Sequence, residues 1–218
     1  MPHPALSSLG QRRAWAPPLA RESATPTVTD VQPPVLPLDR RLDCLIDALP
    51  VRRCNPGPRL MRAIRQIDPA RSLVLRAIRL ADGRRVDLVA LPRSLQADPG
   101  CVAALRTLQE RRRRCGRPLR LIREEVVDRE PRLSNAQLVG GCRWTGLTPR
   151  GRQALLRHLR ERGGSASLAA CLGCLAGEAD PAGAILALVA GKVLQLDLDR
   201  PLGPESWVRL GPFLRARA

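Results

Sequence analysis

Two marked helix starts and two marked helix ends constrain the last third of the sequence more tightly than any other feature. Thr148 and Asp180 each precede a proline, so a capping side chain stands before a residue suited to the first turn of a helix. Gly163 and Gly191 follow at helix length and end the two helices. Residues 165–175 predict a further short helix between them.

A β-ribbon is predicted after the third helix. Val193–Leu198 alternates apolar and polar side chains as a strand does, and residues 200–204 turn the chain back toward Trp207 and Val208. Three helices followed by a ribbon of this length predict a winged helix-turn-helix domain over residues 147–210.

The third predicted helix has no side chain suited to reading bases. Residues 181–190 contain only proline and small or aliphatic side chains, whereas base edges are read by Arg, Lys, Asn or Gln. An apolar helix of this kind favours a protein or dimer contact, with Ile185, Leu186 and Val189 as the candidate interface. The first helix is arginine-rich, and its arginines either contact phosphates or form a solvated face.

The charge of the chain predicts a polyanionic partner. The formal net charge is +17, from 37 basic and 20 acidic residues. Proteins that stack unpaired bases need aromatic rings, and this chain has no Tyr, one Phe and three Trp, so duplex DNA is the predicted partner. The candidate DNA contacts are Arg111, Arg112, Arg113, Arg114, Arg150, Arg152, Arg157 and Lys192.

The middle of the chain predicts an α/β domain with one twisted sheet over residues 41–143. Its centre is a hairpin, in which the turn residues Ala81-Asp82-Gly83 separate two strand patterns. The predicted elements are helices at 42–49 and 60–67, strands at 72–80 and 86–91, a helix at 99–114, a strand at 119–122 and a helix starting at 135–139.

The sequence before this domain predicts a disordered arm. Residues 1–40 contain eight prolines and many polar residues, and residues 1–20 lack the continuous apolar region of a secretory signal. No apolar run approaches the ~20 residues of a membrane span. The seven cysteines are scattered, as expected of reduced thiols. These features predict a cytoplasmic protein without membrane contact, with association to the nucleoid as an option.

The residues from about 85 to 143 resemble the rear half of the nuclease domain of TnsA-like transposon-end endonucleases, which are PD-(D/E)XK nucleases. The resemblance lies in VDLVALP (Val86–Pro92), DPGCVAALRTLQERRRRCG (Asp98–Gly116), PLRLIREEVV (Pro118–Val127) and EPRLSNAQLV (Glu130–Val139). It implies a restriction-endonuclease-like mixed-sheet core followed by the winged helix domain.

The sequence departs from this family where the family holds Mg²⁺. The resemblance implies an Asp on the first hairpin strand and a Glu/Gln-x-Lys on the second, but the first strand has no carboxylate and the second has Val89 and Leu91 at those positions. The only lysine is Lys192. Catalysis would have to use Asp87 with Glu124 or Glu125 to hold Mg²⁺. The favoured interpretation makes Asp87 an edge-strand surface charge and both glutamates solvated.

One pair of cysteines has the spacing of metal ligands. Cys171 and Cys174 would need two further ligands to hold zinc, and Cys142 or His158 could contribute. Their surroundings of Ala, Leu and Gly favour small buried thiols instead, so no metal or cofactor is predicted.

Three functional hypotheses follow. The first is a DNA-associated protein with a nuclease-like fold and an incomplete metal site, acting as a non-catalytic DNA-binding or docking subunit of transposition or mobile-element machinery. The second is an active Mg²⁺-dependent DNA endonuclease with rearranged catalytic residues. The third is a winged-helix module for protein interaction or transcription regulation, with a protein partner or a second copy of the chain bound at its third helix.

Overall fold

The computed structural model describes residues 36–215. The predicted arm over residues 1–40 therefore lies almost entirely outside the described residues. Its last residues are an exception, because the first helix, α1, covers Leu38–Ala48 and begins before the predicted start at Leu42.

A four-stranded mixed sheet forms the centre of the first part of the described chain, which confirms the predicted α/β class. β3 lies between β2 and β4; it is antiparallel to β2 and parallel to β4. The strands, in sheet order, are β1 (Arg52–Cys54), β2 (Val74–Arg79), β3 (Arg85–Leu91) and β4 (Leu119–Arg123). The accompanying helices are α2 (Pro58–Ile67), α3 (Arg93–Gln96), α4 (Pro99–Arg114), α5 (Glu124–Val127) and α6 (Arg132–Gly141).

Local chemistry explains the hairpin and the long helix, both of which were predicted. Gly83 has a φ of +82°, which glycine adopts without a Cβ clash, and the amide of Leu80 donates to the carbonyl of Arg84 at 2.9 Å. α4 begins where Asp98 accepts hydrogen bonds from two first-turn amides. Its bounds are the predicted ones.

The central strand β3 buries a different core on each face. Leu88 and Ala90 belong to a cluster that includes residues of α1 and α6. Val89 and Leu91 belong to a second cluster with residues of α2 and α4. Because side chains alternate along a strand, Asp87 lies on the α2 and α4 face with Val89 and Leu91.

The last third of the chain combines helices with a three-stranded antiparallel sheet in the order β5-β7-β6. Its elements are α7 (Pro149–Glu161), β5 (Ser165–Ser167), α8 (Leu168–Gly173), α9 (Pro181–Ala190), β6 (Leu194–Leu196), β7 (Trp207–Leu210) and α10 (Pro212–Arg215). The hydroxyl of Thr148 and the carboxylate of Asp180 cap α7 and α9, as predicted. The helix predicted at 165–175 starts late, because its first three residues pair with β7.

One hydrophobic cluster connects the two parts of the described chain. It contains Leu42 of α1, Ala136 of α6, Leu155 of α7 and Ile185 of α9. Between residues 36 and 215, no helix is long and apolar enough to cross a membrane.

Candidate nucleic-acid interface

Asp87 is a buried charge in the centre of the sheet. Its side chain accepts hydrogen bonds from the guanidinium groups of Arg85 and Arg112, and only 1% of the residue is exposed. The Arg85 Nη2 to Asp87 Oδ1 distance is 3.1 Å. The interpretation of Asp87 as an edge-strand surface charge is therefore wrong: β3 has a neighbour on each side, and both carboxylate oxygens have a cationic partner.

This buried charge lies at an arginine-lined cleft of about 690 Å³, called the arginine cleft below. The cleft lies where the start of α2, the β2–β3 turn and the end of α4 meet. Its lining arginines are Arg59, Arg84, Arg85, Arg112 and Arg117. Asp87 is the one carboxylate in the lining, so the cleft carries a net positive charge.

Three of the four arginines at the end of α4 are exposed, and the fourth is largely buried. Arg111, Arg113 and Arg114 are exposed, as their predicted role as DNA contacts requires. Arg113 and Arg114 lie 3.9 and 3.3 Å from the carboxylate of Glu110, so this acid offsets part of their charge. Arg112 differs from the other three: its side chain is 16% exposed and its guanidinium pairs with Asp87.

The two glutamates predicted as alternative metal ligands lie at the other end of the sheet. Asp87 is aligned with Leu119, at the start of β4, whereas Glu124 follows the last residue of that strand. Five positions along a strand correspond to roughly 16 Å, whereas oxygen ligands of one Mg²⁺ or Ca²⁺ each lie within ~2.6 Å of it. Asp87 and the two glutamates therefore do not form one metal site.

Glu124 has structural partners of its own. Its carboxylate accepts a hydrogen bond from the backbone amide of Arg93 at 2.8 Å and another from Arg41 at 2.5 Å. The amide of Arg93 first, and then the guanidinium of Arg41, lower the pKa of Glu124 below its ordinary value. Glu125 is exposed and accepts from Gln96 at 3.2 Å. The expectation of a solvated side chain thus fails for Glu124.

The cysteine pair is divided between the core and its edge. Cys171 is fully buried, and burial raises the pKa of its thiol to about 11, so the thiol stays protonated at neutral pH. Cys174 donates from its thiol to the carbonyl of Ala170 at 3.4 Å. Within residues 36–215, no group of three or more His, Cys, Asp or Glu side chains is placed to hold a metal ion.

The exposed side of α7 carries a row of three arginines, called the α7 stripe below, with Glu161 on the same side at the end of the helix. Arg150, Arg157 and Arg160 are exposed at helical positions that share one face, opposite the buried Leu155 and Leu159. None of the three forms an ion pair with a carboxylate in the described part of the chain. Arg152, also a predicted DNA contact, is exposed but lies on a different face of α7 from Arg150 and Arg157.

The predicted protein interface on α9 is not exposed. Ile185 and Val189 are at most 1% exposed and belong to the core that α9 shares with α1 and α6. Leu186 is half-buried and packs against the same core. Burial within the chain therefore explains why this helix is apolar, and the prediction of a protein interface on it is corrected.

Lys192 also forms its contacts within the chain. Its ammonium group donates to the carbonyls of Ile46 at 2.9 Å, Leu49 at 2.7 Å and Asp47, at the end of α1. Burial lowers the pKa of Lys192 to about 8. The predicted DNA contact through Lys192 is thus replaced by a contact that caps a helix.

The sequence contained an indication of the arginine cleft that its interpretation missed. A strand joined by a hairpin on one side and by a helix crossover on the other is expected to be central, and a carboxylate on a face that a helix covers needs a partner. The excess of arginine around Asp87 supplied the partners. Which arginines they are depends on the register of β3 against β4 and on the rotation of α4.

Comparisons with known proteins identify no relative. No protein-family model matches the sequence, and neither the curated proteins nor the solved structures gave a significant match.

Proposed function

We propose that this chain is a non-catalytic, DNA-associated protein that binds duplex DNA through its phosphate backbone. The observation that carries the proposal is the α7 stripe: three exposed guanidinium groups on one helix face, with no carboxylate paired to them in the described residues. Guanidinium groups bind phosphate oxygens strongly, and neutralising phosphates releases counterions from the duplex.

The surrounding elements support this function. The order helix, strand, helix, helix, strand, strand from α7 to β7, with β7 between β5 and β6, is the order expected of a winged helix domain and supports the proposal. Because α9 has no long polar side chain, the contacts would be to phosphates rather than to base edges, and binding would be independent of sequence.

The resemblance to transposon-end nucleases suggests where such a protein acts. The hairpin β2–β3, the helix α4 and the parallel strand β4 follow in the order in which the resemblance runs. Because Asp87 lies far from Glu124 and Glu125, the geometry favours a docking or DNA-binding subunit of mobile-element machinery over an endonuclease that uses these residues.

The test is a titration of a labelled duplex at several salt concentrations. We expect the logarithm of the association constant to fall linearly with the logarithm of the salt concentration. The magnitude of the slope should decrease by about 0.9 for each phosphate contact removed. The variant Arg150→Ala/Arg157→Ala/Arg160→Ala should therefore have a slope smaller by roughly 2 to 3, because it removes the whole α7 stripe.

The matched control removes three exposed, unpaired arginines elsewhere, as Arg62→Ala/Arg65→Ala/Arg129→Ala. An equal decrease of the slope in both variants would mean that net charge alone binds DNA, and the α7 stripe would lose its role.

A second experiment tests for cleavage. A supercoiled plasmid incubated with the protein and Mg²⁺, Mn²⁺ or chelator should be retarded and intact under all three conditions. Metal-dependent nicking would contradict the non-catalytic proposal.

A further inference from the structure

The arginine cleft differs from the α7 stripe because one of its cations, Arg112, is recessed. At its floor, the Arg112 side chain is 16% exposed and Asp87 is buried, so ligand atoms reach these groups only by entering the cleft. A duplex is far larger than a cleft of about 690 Å³, so its backbone would contact only the rim. A protruding phosphate group can enter.

Two arginines of the cleft, the recessed Arg112 and the exposed Arg85, are held in place before any ligand binds. Asp87 accepts hydrogen bonds from both Arg85 and Arg112, and Arg85 also donates to the carbonyl of Asn55 at 2.8 Å. The Nε of Arg112 is buried without a hydrogen-bond partner in the described residues. Guanidinium groups fixed in this way lose little side-chain entropy when they bind an anion.

The rim of the cleft adds further positive charge. Arg59 and Arg117 are exposed and form no ion pair among residues 36–215. The N-terminus of α2 also lines the cleft, and no side chain caps it. Backbone amides at a helix start carry a partial positive charge that favours phosphate.

We infer that the arginine cleft binds a phosphate monoester or a polyphosphate. Such groups carry close to two negative charges each and three terminal oxygens, which suits guanidinium groups arranged around one cavity better than the single charge of a backbone phosphodiester does. The group can come from a free nucleotide or from the phosphorylated end of a strand. Asp87 is then a positioning residue for Arg85 and Arg112.

This inference does not depend on duplex binding, because it is tested with pyrophosphate as the probe. Isothermal titration of the full chain should show one site per chain. Replacing one arginine of the rim, as in Arg59→Ala or Arg117→Ala, should weaken binding about tenfold by removing charge-assisted hydrogen bonds. Both residues are exposed and unpaired, so neither change should disturb folding.

The matched control is Arg65→Ala, which removes an exposed arginine from the same helix, α2, outside the cleft. Unchanged pyrophosphate affinity in this control, together with the loss in Arg59→Ala and Arg117→Ala, supports the site. Absence of pyrophosphate binding, or an equal loss in all three variants, overturns it.

Two further titrations identify the source of the phosphate. If ADP competes with pyrophosphate and adenosine does not, a free nucleotide is accommodated. If a 5′-phosphorylated hairpin duplex competes better than the same hairpin with a 5′-hydroxyl, the end of a strand is accommodated. Arg59→Ala and Arg117→Ala should reduce either competition, and the α7 stripe variant should leave pyrophosphate binding unchanged.

Discussion

Asp87 and Asp82 are two aspartates of one hairpin, one buried and one exposed. Comparing them tests, at the scale of a residue, how burial changes the contribution of an ion pair to stability. The Asp87 side chain is 2% exposed and pairs with Arg112. The Asp82 side chain is 47% exposed and lies 2.5 Å from Arg84. Removing one partner of a buried pair leaves an uncompensated buried charge, whereas an exposed pair contributes little because water screens it.

We therefore expect Asp87→Ala to lower the free energy of unfolding by about 3 kcal/mol, and Asp82→Ala to lower it far less. Denaturant titrations of the two variants and the unmodified chain give both values. Similar small losses in both variants would mean that Asp87 is solvated in solution and would reopen its interpretation as a surface charge.

The residues of the candidate site were only partly predictable, for a physical reason. Exposed arginines such as Arg150 and Arg157 follow from helical periodicity, because a charged side chain opposite a leucine stripe faces solvent. The pairing of Arg112 with Asp87 depends on how α4 packs on the sheet, which neighbouring residues in the sequence do not determine. The same applies to Lys192, whose acceptors lie more than 140 positions away.

At the scale of elements, the predictions succeeded where local signals and tertiary structure agree. α4 has a capping Asp98, a proline in its first turn and an apolar stripe, and its bounds were predicted. β1 and β5 were missed. Each is three residues long and exists only because a longer strand, β2 or β7, offers hydrogen bonds along its edge.

The end of α1 illustrates how a distant element completes a helix. The last carbonyls of a helix have no hydrogen-bond donor within the helix. Here the ammonium group of Lys192, a residue that follows α9, donates to the carbonyls of Ile46, Asp47 and Leu49. Lys192→Met preserves the length of the side chain but leaves these carbonyls without their donor. We expect it to lower the free energy of unfolding by roughly 2 kcal/mol.

The control for Lys192→Met is Arg209→Met, which removes an exposed cation from β7 that has no ion pair in the described residues. Urea titrations at neutral pH should leave this control within ~0.5 kcal/mol of the unmodified chain. If Lys192→Met were equally neutral, the carbonyls at the end of α1 would be satisfied by water instead.

At the scale of the whole molecule, the boundary between two domains is clearer in the sequence pattern than in the hydrophobic core of the structure. The pattern predicts separate domains at 41–143 and 147–210. The described residues place α1, α6, α7 and α9 around one hydrophobic cluster. Composition cannot reveal this, because an apolar helix face looks the same whether it packs within its own domain or against a neighbouring one.

This shared cluster leads to an expectation for unfolding. Leu88 of β3 and Leu155 of α7 are both buried members of it, one in each predicted domain. If the cluster joins the two parts into one cooperative unit, calorimetry should show a single transition with equal calorimetric and van't Hoff enthalpies. Leu88→Ala and Leu155→Ala should each lower its midpoint, since either cavity costs roughly 2–5 kcal/mol. Two domains that unfolded independently would give two transitions, and Leu155→Ala would shift only one of them.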